Sequence, residues 1–379
     1  MGTIGILGGG QLARMLVLAG APLGVRFVVV DGAAEACAGQ VAPLIRADWR
    51  DFDALEKFAR QVDVATFDFE NVPAETAKWL AERTQVFPNP RALSTAQDRL
   101  AEKTLFRECG LDTPEFAPVD TRADLDAALR KVGAPAILKT RRLGYDGKGQ
   151  FRLRSIADAD AAWQALGANA HGLILEAFVP FEYEVSVVAV RGRGGDFRTW
   201  PLTRNWHSEG ILSASLAPAN VDPRLRAHAF DLARVLAEKL DYVGVFALEL
   251  FVHEGRLLGN EMAPRVHNSG HWTIEGALTS QFENHVRAVL GLPLGDTAAL
   301  GRSCMLNWIG ELPDANAILR ESDAHWHDYG KSPRAGRKVG HATLRARDDQ
   351  ALAGALRRVG GELGRGQQVT PVLEALRNS

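Results

Sequence analysis

The sequence lacks an excess of either charge, a long apolar run and any low-complexity segment. Lysine and arginine together number 44, against 46 aspartates and glutamates. This balance argues against the basic surface with which proteins bind nucleic acids or anionic membranes. The apolar residues are too dispersed for a membrane span, and the first apolar segment is too short for a secretory signal. We therefore expect no nucleic-acid partner, no membrane association and a cytoplasmic location.

Cysteine is also scarce. The chain contains Cys37, Cys109 and Cys304, whose spacing fits neither a metal site nor a redox pair. Such residues are typical of small buried side chains in a reducing compartment. With 379 residues, of which 46% are apolar, the chain is long enough for two or three domains.

The pattern of apolar residues changes along the chain. Short apolar runs at 3–7, 25–30 and 64–67 alternate with helical patterns, which predicts a doubly wound parallel sheet. Later segments, such as 183–190, alternate as antiparallel strands do, so the middle of the chain is expected to be α+β. We predict three domains, which span residues 1–97, 98–292 and 293–379.

A glycine-rich turn follows the first predicted strand. Gly8, Gly10 and Ala13 fit the pattern Gly-x-Gly-x-x-Ala, and Asp31 ends the second strand. Glycines let the backbone approach a phosphate at a helix N-terminus, and the acid can bind ribose hydroxyls. A tight turn without any cofactor would give the same pattern, so this motif alone leaves both interpretations open.

A second glycine-rich segment, residues 140–150, lies between two predicted strands. It contains three glycines and Lys148, and Lys139 immediately precedes it. Such a loop can fold over a polyphosphate, with backbone N–H groups and lysine as donors. The alternative is a charged hairpin turn, which does not explain why Tyr145 and Asp146 lie inside it.

Two glutamates flank a predicted turn at residues 253–255. In a simple antiparallel hairpin centred near residue 255, Glu249 and Glu261 would oppose each other, whereas a bulge or a one-residue shift in register would break this pairing. Glu249 lies within an apolar strand, so we expect a cation partner for it, unless it faces solvent. Two carboxylates beside Asn260 suit Mg²⁺, which prefers oxygen ligands. His267 and His271 lie in a loop flanked by proline and glycine, and not in the His-Glu-x-x-His helix that is typical of zinc sites.

A basic, glycine-rich loop lies near the C-terminus. Lys331, Arg334, Arg337 and Lys338 occur within eight residues, with glycines among and around them. A loop of this kind can bind a phosphate monoester. A solvated charged loop would have the same composition.

Together these segments resemble the 5-(carboxyamino)imidazole ribonucleotide synthetases, a family of ATP-grasp carboxylases in purine biosynthesis. The resemblance covers nearly the whole chain, and residues 261–271 and 336–341 are its most specific parts. It implies an α/β and α+β fold: an ATP-grasp domain with a mobile lid at about 113–178, an N-terminal doubly wound parallel-sheet domain and a small C-terminal domain. It also implies a homodimer, ATP as co-substrate, and Mg²⁺ or Mn²⁺ as cofactor.

The resemblance further implies a reaction and a role for individual residues. ATP and bicarbonate would give carboxyphosphate, and the amine of 5-aminoimidazole ribonucleotide would then be carboxylated, directly or through released CO₂. Bicarbonate and carboxyphosphate would be oriented by Arg265, His267 and Asn268, and Mg²⁺ would be held by Glu249 and Glu261. The ribonucleotide would contact Gln11, Tyr145, Asp146, Lys331 and Arg337. ATP would contact Arg99, Lys139, Gly144, Tyr145, Asp146, Gly147, Lys148, Gly149, Gln150, Glu176, Ala177, Phe178, Val179, Glu184, His207, Asn260 and Glu261.

One segment departs from this resemblance. Asp68 is more acidic than expected at its position, and Glu70 is assigned only to the nucleotide pocket in general. Three other functions stay open on the sequence. They are a formate-dependent ATP-grasp transformylase, an NAD(P)-dependent oxidoreductase built on residues 8–31, and a nucleotide sensor without turnover. The oxidoreductase would leave Glu249 and Glu261 unexplained.

Overall fold

The computed structural model describes residues 2–144, 148–168 and 172–377. Within this part of the chain the strands form three sheets, of five, four and nine strands. Tyr145, Asp146 and Gly147 of the glycine loop lie outside the described residues.

The N-terminal sheet is parallel throughout, in the order β3-β2-β1-β4-β5. Its strands are β1 (Thr3–Leu7), β2 (Arg26–Asp31), β3 (Leu44–Arg46), β4 (Val64–Phe67) and β5 (Gln85–Val86). The accompanying helices are α1 (Gln11–Gly20), α2 (Phe52–Ala59), α3 (Ala74–Ala81) and α4 (Pro90–Ala96). The predicted doubly wound sheet is confirmed. The short edge strand β3 went unpredicted because only three half-exposed residues form it.

A small antiparallel sheet follows, in the order β6-β9-β7-β8. Its strands are β6 (Phe116–Val119), β7 (Ala136–Thr140), β8 (Gln150–Leu153) and β9 (Leu173–Ala177), and the helices of this region are α5 (Arg99–Glu108), α6 (Arg122–Val132) and α7 (Ala159–Leu166). Thr121 caps α6 in a capping box, and Gly133 follows the last residue of this helix. The glycine loop therefore connects two paired strands, β7 and β8.

The large sheet contains the remaining strands, in the order β15-β14-β10-β12-β13-β16-β18-β17, with β11 paired to β10. These strands are β10 (Tyr183–Arg191), β11 (Phe197–Thr199), β12 (Thr203–Ser208), β13 (Ile211–Ala217), β14 (Gly244–His253), β15 (Arg256–Ala263), β16 (Arg302–Ile309), β17 (Ala324–Asp328) and β18 (Lys338–Ala346). The helices are α8 (Pro223–Lys239), α9 (Thr273–Gly276), α10 (Gln281–Leu290), α11 (Ala315–Leu319), α12 (Asp349–Glu362) and α13 (Gly366–Arg377).

The C-terminal strands extend the sheet of the middle region. β16 pairs with β13, so one continuous sheet includes strands from both sides of the predicted domain boundary at residue 293. The predicted boundaries after residues 97 and 292 stay predictions. One hydrophobic cluster also joins the three regions, since it includes Leu16 of α1, Val188 of β10 and Met305 of β16. This shared core fixes the relative positions of the loops that surround the site.

No helix within the described residues is both long enough and apolar enough to cross a bilayer.

Candidate active site

The hairpin of β14 and β15 brings Glu249 and Glu261 opposite each other. Its turn is formed by Glu254 and Gly255, whose φ values of 50° and 69° are those of a tight two-residue turn. Beyond the turn the register shifts by one residue at Glu249, where a bulge occurs. Without the bulge, Glu249 would face Asn260. The predicted pairing is therefore confirmed, but the prediction that a bulge would break it is wrong.

The two carboxylates lie in different electrostatic environments. Burial, and then the nearby Glu184 and Glu261, raise the pKa of Glu249 well above its ordinary value. Burial and Glu261 likewise raise the pKa of Glu184 to about 8. Burial acts on Glu261 in the same direction, but the Arg99 guanidinium, 2.9 Å away, lowers its pKa to about 2. The site thus disfavours further negative charge unless a cation binds beside it.

The Glu249 carboxylate contacts a histidine. Its Oε1 lies 3.3 Å from Nε2 of His267. Burial lowers the pKa of His267 well below its ordinary value, so this imidazole is neutral at physiological pH. The cationic partner that we expected for Glu249 is therefore not provided by His267.

A buried cluster of basic residues lies beside the carboxylates. Lys139 of β7 and Lys103 of α5 lie 2.9 Å and 3.3 Å from the same oxygen of Glu176, which is on β9. Burial raises the pKa of Glu176, but the two lysines outweigh it and lower the pKa to about 2. Lys139 and Arg99, which we predicted to contact ATP, therefore lie in one charged cluster. Glu176, another predicted ATP contact, directs its carboxylate into this cluster.

Lys103 and Glu102 are functional candidates that the sequence analysis missed. Lys103 is fully buried, and its Nζ donates to the carbonyl of Asn260 at 2.9 Å. Glu102 accepts a hydrogen bond of 2.7 Å from the backbone N–H of Met262. A signal was available, because Arg99, Glu102, Lys103 and Phe106 recur at i, i+3, i+4 and i+7. This spacing puts three charged residues on the helix face that Phe106 shows to be buried.

The segment after β15 provides the predicted catalytic residues. Arg265 forms an ion pair with Glu70, which comes from the N-terminal domain. Asn268 and Asn307 exchange amide hydrogen bonds of 3.1 Å and 2.7 Å. Arg265, His267 and Asn268 are thus held by residues of the N-terminal, middle and C-terminal regions, respectively. Glu70, which was assigned only to the nucleotide pocket in general, is the ion-pair partner of Arg265.

The glycine turn in the N-terminal domain has an explanation that involves no cofactor. The Asp68 carboxylate accepts a hydrogen bond of 3.3 Å from the N–H of Ala13, at the start of α1. A Cβ atom on Gly8, where φ is 98°, would lie 1.8 Å from an Asp68 oxygen. Asp31 accepts hydrogen bonds of 2.7 Å from Gly9 and from Ala33. Asp68 thus occupies the helix N-terminus that a dinucleotide phosphate would need.

Two of the predicted ribonucleotide contacts, Lys331 and Arg337, line one cavity. A cavity of about 320 Å³ lies between residues 34–44 and the basic loop, and both Lys331 and Arg337 line it. Lys331 donates to the side chain of Gln11 at the start of α1. Burial is the main cause that lowers the pKa of Lys331. The basic loop is therefore not a freely solvated segment at these two residues.

The remaining predicted ATP contacts include residues on β10, on β12 and in the segment that follows β9. Glu184 on β10 is buried, and its Oε1 lies 3.5 Å from Nδ1 of His207. In the linker after β9, the Phe178 N–H donates to Pro135 and the Arg152 guanidinium lies 4.1 Å from the Phe178 ring centroid. Gly144, Lys148, Gly149 and Gln150 border the part of the loop outside the described residues.

A small antiparallel sheet with a buried lysine, facing a large antiparallel sheet with paired carboxylates, defines an ATP-grasp protein. Three family models match consecutive parts of the chain and support this class. The ribonucleotide synthetase preATP-grasp domain matches residues 1–97 and the ATP-grasp domain matches residues 104–282. The phosphoribosylaminoimidazole carboxylase C-terminal domain matches residues 303–354.

Individual relatives narrow this class. The sequence is 53% identical to N5-carboxyaminoimidazole ribonucleotide synthase of Pseudomonas aeruginosa, over 92% of this chain and 96% of the relative. The crystal structure of the synthetase from Thermus thermophilus has a TM-score of 0.91 and 54% identity, with 95% and 98% of the two chains covered. The Aspergillus clavatus enzyme, solved with ADP and 5-aminoimidazole ribonucleotide, has a TM-score of 0.88 and 29% identity, with 96% and 99% covered. The chain belongs to the N5-carboxyaminoimidazole ribonucleotide synthetase family.

Proposed function

We propose that this protein is an ATP-grasp ligase that carboxylates the exocyclic amine of 5-aminoimidazole ribonucleotide in purine biosynthesis. The γ-phosphoryl group of ATP passes to a bicarbonate oxygen, which gives ADP and carboxyphosphate. The bond between the carboxyl carbon and the bridging oxygen of carboxyphosphate then breaks, and phosphate leaves with that oxygen. A bond forms between the carboxyl carbon and the amine nitrogen, and the amine loses a proton. The products are the N5-carboxyamino ribonucleotide, ADP and phosphate.

One structural observation carries this proposal beyond family membership. A line of contacts connects the groups that the reaction needs: Arg99 contacts Glu261, Glu261 faces Glu249, and Glu249 contacts His267. Basic residues for phosphates, carboxylates for a metal, and polar residues for bicarbonate are thus adjacent. Phosphoryl transfer depends on such positioning and charge neutralisation.

The ATP phosphates are proposed to bind near Arg99 and Lys139. Both side chains are already desolvated and held by carboxylates, so little ordering remains when phosphate binds. The loop of residues 144–150 would cover the phosphates, and the linker with Glu184 and His207 would hold the nucleoside. Covering the site would protect carboxyphosphate from water.

Glu249 and Glu261 are proposed to hold Mg²⁺. Their carboxylates lie on one face of the hairpin and offer the hard oxygen ligands that Mg²⁺ prefers. Among the described residues, no group of three or more His, Cys, Asp or Glu is arranged to hold a metal alone. This agrees with a Mg²⁺ site that nucleotide phosphates complete. When bound, Mg²⁺ would neutralise charge on the phosphates.

The ribonucleotide is proposed to bind in the cavity beside the basic loop. Lys331 and Arg337 would hold its phosphate, since arginine can bind phosphate in a bidentate manner and lysine acts as a point charge. Gln11 positions Lys331 through their hydrogen bond. Tyr145 and Asp146 of the glycine loop would contact the base of the ribonucleotide. Arg265 and Asn268 would orient bicarbonate near the exocyclic amine of the ribonucleotide.

ADP release with different co-substrates tests this function. We expect ADP to form rapidly only when bicarbonate and 5-aminoimidazole ribonucleotide are both present. Formate in place of bicarbonate should give no turnover. Turnover with formate would instead identify a transformylase, and ATP binding without any turnover would identify a sensor.

Assembly and location are part of the same proposal. We propose a homodimer with Mg²⁺, or Mn²⁺ in its place, in the cytoplasm. Cys37, Cys109 and Cys304 form no disulfide, which suits a reducing compartment. Light scattering of the purified protein would measure its mass in solution and test the dimer.

A further inference from the structure

His267 lies at the end of a line of buried polar side chains that crosses the large sheet. Ser215 of β13 bonds to Asn205 of β12 at 2.8 Å, and Asn205 bonds to Ser186 of β10 at 2.9 Å. Ser186 bonds to Ser269 at 2.7 Å, and the Ser269 hydroxyl lies 2.9 Å from Nδ1 of His267. We call Ser215, Asn205, Ser186 and Ser269 the polar relay.

A backbone group sets the direction of hydrogen bonding at the histidine. The N–H of Ser269 donates to Nδ1 of His267 at 3.3 Å, and this imidazole caps the short helix that begins at Asn268. A backbone N–H can only donate, so Nδ1 must be an acceptor and carries no proton. The Ser269 hydroxyl, which faces the same nitrogen, must then donate to it as well.

The direction at Nδ1 determines every proton farther along the relay. Because the Ser269 hydroxyl donates to His267, its oxygen is left to accept from the Ser186 hydroxyl. Ser186 in turn accepts from the amide nitrogen of Asn205, and Asn205 accepts from Ser215 through its amide oxygen. All four relay residues are buried, so water does not compete for these bonds.

The backbone of His267 is held independently of its ring. The side chain of Gln281 accepts from the His267 N–H at 2.9 Å and donates to the His267 carbonyl at 2.6 Å. Gln281 is fully buried at the start of α10. The ring therefore has a fixed point of attachment, and the Ser269 N–H and the polar relay together set its tautomer.

We propose that the polar relay positions His267 as a neutral imidazole with its proton on Nε2, so that His267 acts as a hydrogen-bond donor in the active site. Nε2 is the nitrogen that points to Glu249 and the carboxylate site. A protonated Nε2 has no free lone pair, so in this form it can act neither as a base nor as a metal ligand. We assign an oxygen of bicarbonate or carboxyphosphate as the acceptor of this hydrogen bond. That assignment rests on the proposed function, whereas the tautomer does not.

The tautomer can be measured directly in the wild-type protein. ¹⁵N NMR of histidine-labelled protein near neutral pH distinguishes a protonated from an unprotonated ring nitrogen, and the His267→Gln spectrum assigns the signals. We expect a protonated signal at Nε2 and an unprotonated one at Nδ1, without any substrate. The reverse tautomer, or an imidazolium, would overturn the proposal even if the enzyme is active.

Relay variants test whether these residues set the tautomer. Ser269→Ala removes the hydroxyl donor at 2.9 Å and leaves Nδ1 with only the longer contact of 3.3 Å from the backbone N–H, so we expect its NMR signals to move partly towards a mixture of tautomers. We expect kcat to fall roughly tenfold, as for other groups that orient a functional imidazole. KM for ATP should stay unchanged. Ser186→Ala acts one step farther away, should cause a smaller shift, and serves as the test if Ser269→Ala does not fold.

Ser303 provides the matched control. It is a fully buried serine on β16 in the same sheet, and its hydroxyl has no hydrogen-bond partner among the residues that the structure describes. Ser303→Ala should change neither the histidine signals nor kcat. If the Ser269 and Ser186 variants behave like Ser303→Ala, the relay is structural only. If the tautomer shifts but the carboxylation assay fails for the wild type, the relay stands and the proposed function falls.

Discussion

Glu249 and Glu261 face each other across β14 and β15 only because the hairpin contains a bulge. The turn at Glu254 and Gly255 sets a register in which Glu249 would oppose Asn260. The bulge adds one residue to β15 and thereby brings the second carboxylate onto the same face. Bulges often redirect side chains next to active sites, and here the bulge assembles the proposed metal site.

Substitution of one carboxylate tests this site. We expect Glu261→Gln to lower ATP turnover roughly 100-fold or more, because charge on the transferred phosphoryl group is no longer neutralised through this ligand. The protein should stay folded, since the side chain is half-buried and the shapes are similar. Steady-state ADP release measures the effect. Glu254→Gln in the turn of the same hairpin is the control, and turnover within a few-fold of wild type for both variants would refute the metal assignment.

The glycine loop is predicted to become protected when nucleotide binds. Its backbone N–H groups and Lys148 would then have phosphate as a partner. Limited trypsin digestion should show slower cleavage after Arg142 and Lys148 with Mg·ATP than without it. Cleavage after Arg193, in an exposed turn far along the chain, provides an internal reference that should not change. If Mg·ATP leaves the cleavage rates after Arg142 and Lys148 unchanged, as it should leave the rate after Arg193, the loop has no role in nucleotide binding.

The basic loop gives a prediction that separates the two substrates. Arg337→Ala should raise KM for the ribonucleotide and leave KM for ATP nearly unchanged, because Arg337 lines the cavity with Lys331. Loss of a charge-assisted hydrogen bond costs about 1.5–3 kcal/mol, which is roughly a tenfold to hundredfold rise in KM. Arg334→Ala removes the same charge from an exposed position in the same loop and should affect neither constant. A larger change for ATP would move this loop to the nucleotide site.

Asp68 gives a prediction for stability as a function of pH. Burial is the main cause that raises the pKa of Asp68 to about 6, from about 4 in the unfolded chain. The folded state therefore binds this proton more tightly than the unfolded chain does. The resulting contribution to the free energy of unfolding is present below about pH 4 and is lost as pH rises from about 4 to about 6. Asp68→Asn should abolish this loss, so its stability relative to wild type should increase by up to about 3 kcal/mol over that range. Denaturant unfolding at several pH values measures this difference, and a constant difference would contradict the assignment.

Sequence reasoning predicted the fold where local patterns decide it. The parallel sheet and the antiparallel strand β10 follow from the periodicity of apolar residues. The pairing of Glu249 and Glu261 was expected from the hairpin, but the bulge that produces it depends on contacts distant in sequence. One such contact is the bond from Lys103 to the carbonyl of Asn260.

The sequence predicted less of the site where distant segments meet. The glycine turn resembled a dinucleotide site because the pattern does not reveal that Asp68 lies against Gly8 and Ala13. Lys103 was missed because a charged residue within a helix is usually solvated. Its burial depends on Glu176, which lies more than seventy residues away in the chain. Such pairings are set by tertiary packing and not by local propensity.

Transfer of labelled carbon is the most direct test of the proposed reaction. The enzyme would be supplied with ¹³C-bicarbonate, ATP, Mg²⁺ and 5-aminoimidazole ribonucleotide, and followed by ¹³C NMR together with ADP release. We expect a carbamate carbon signal that grows in step with ADP and that is absent without the ribonucleotide. ADP release at the same rate without the ribonucleotide, with no carbamate signal in its presence, would contradict the account.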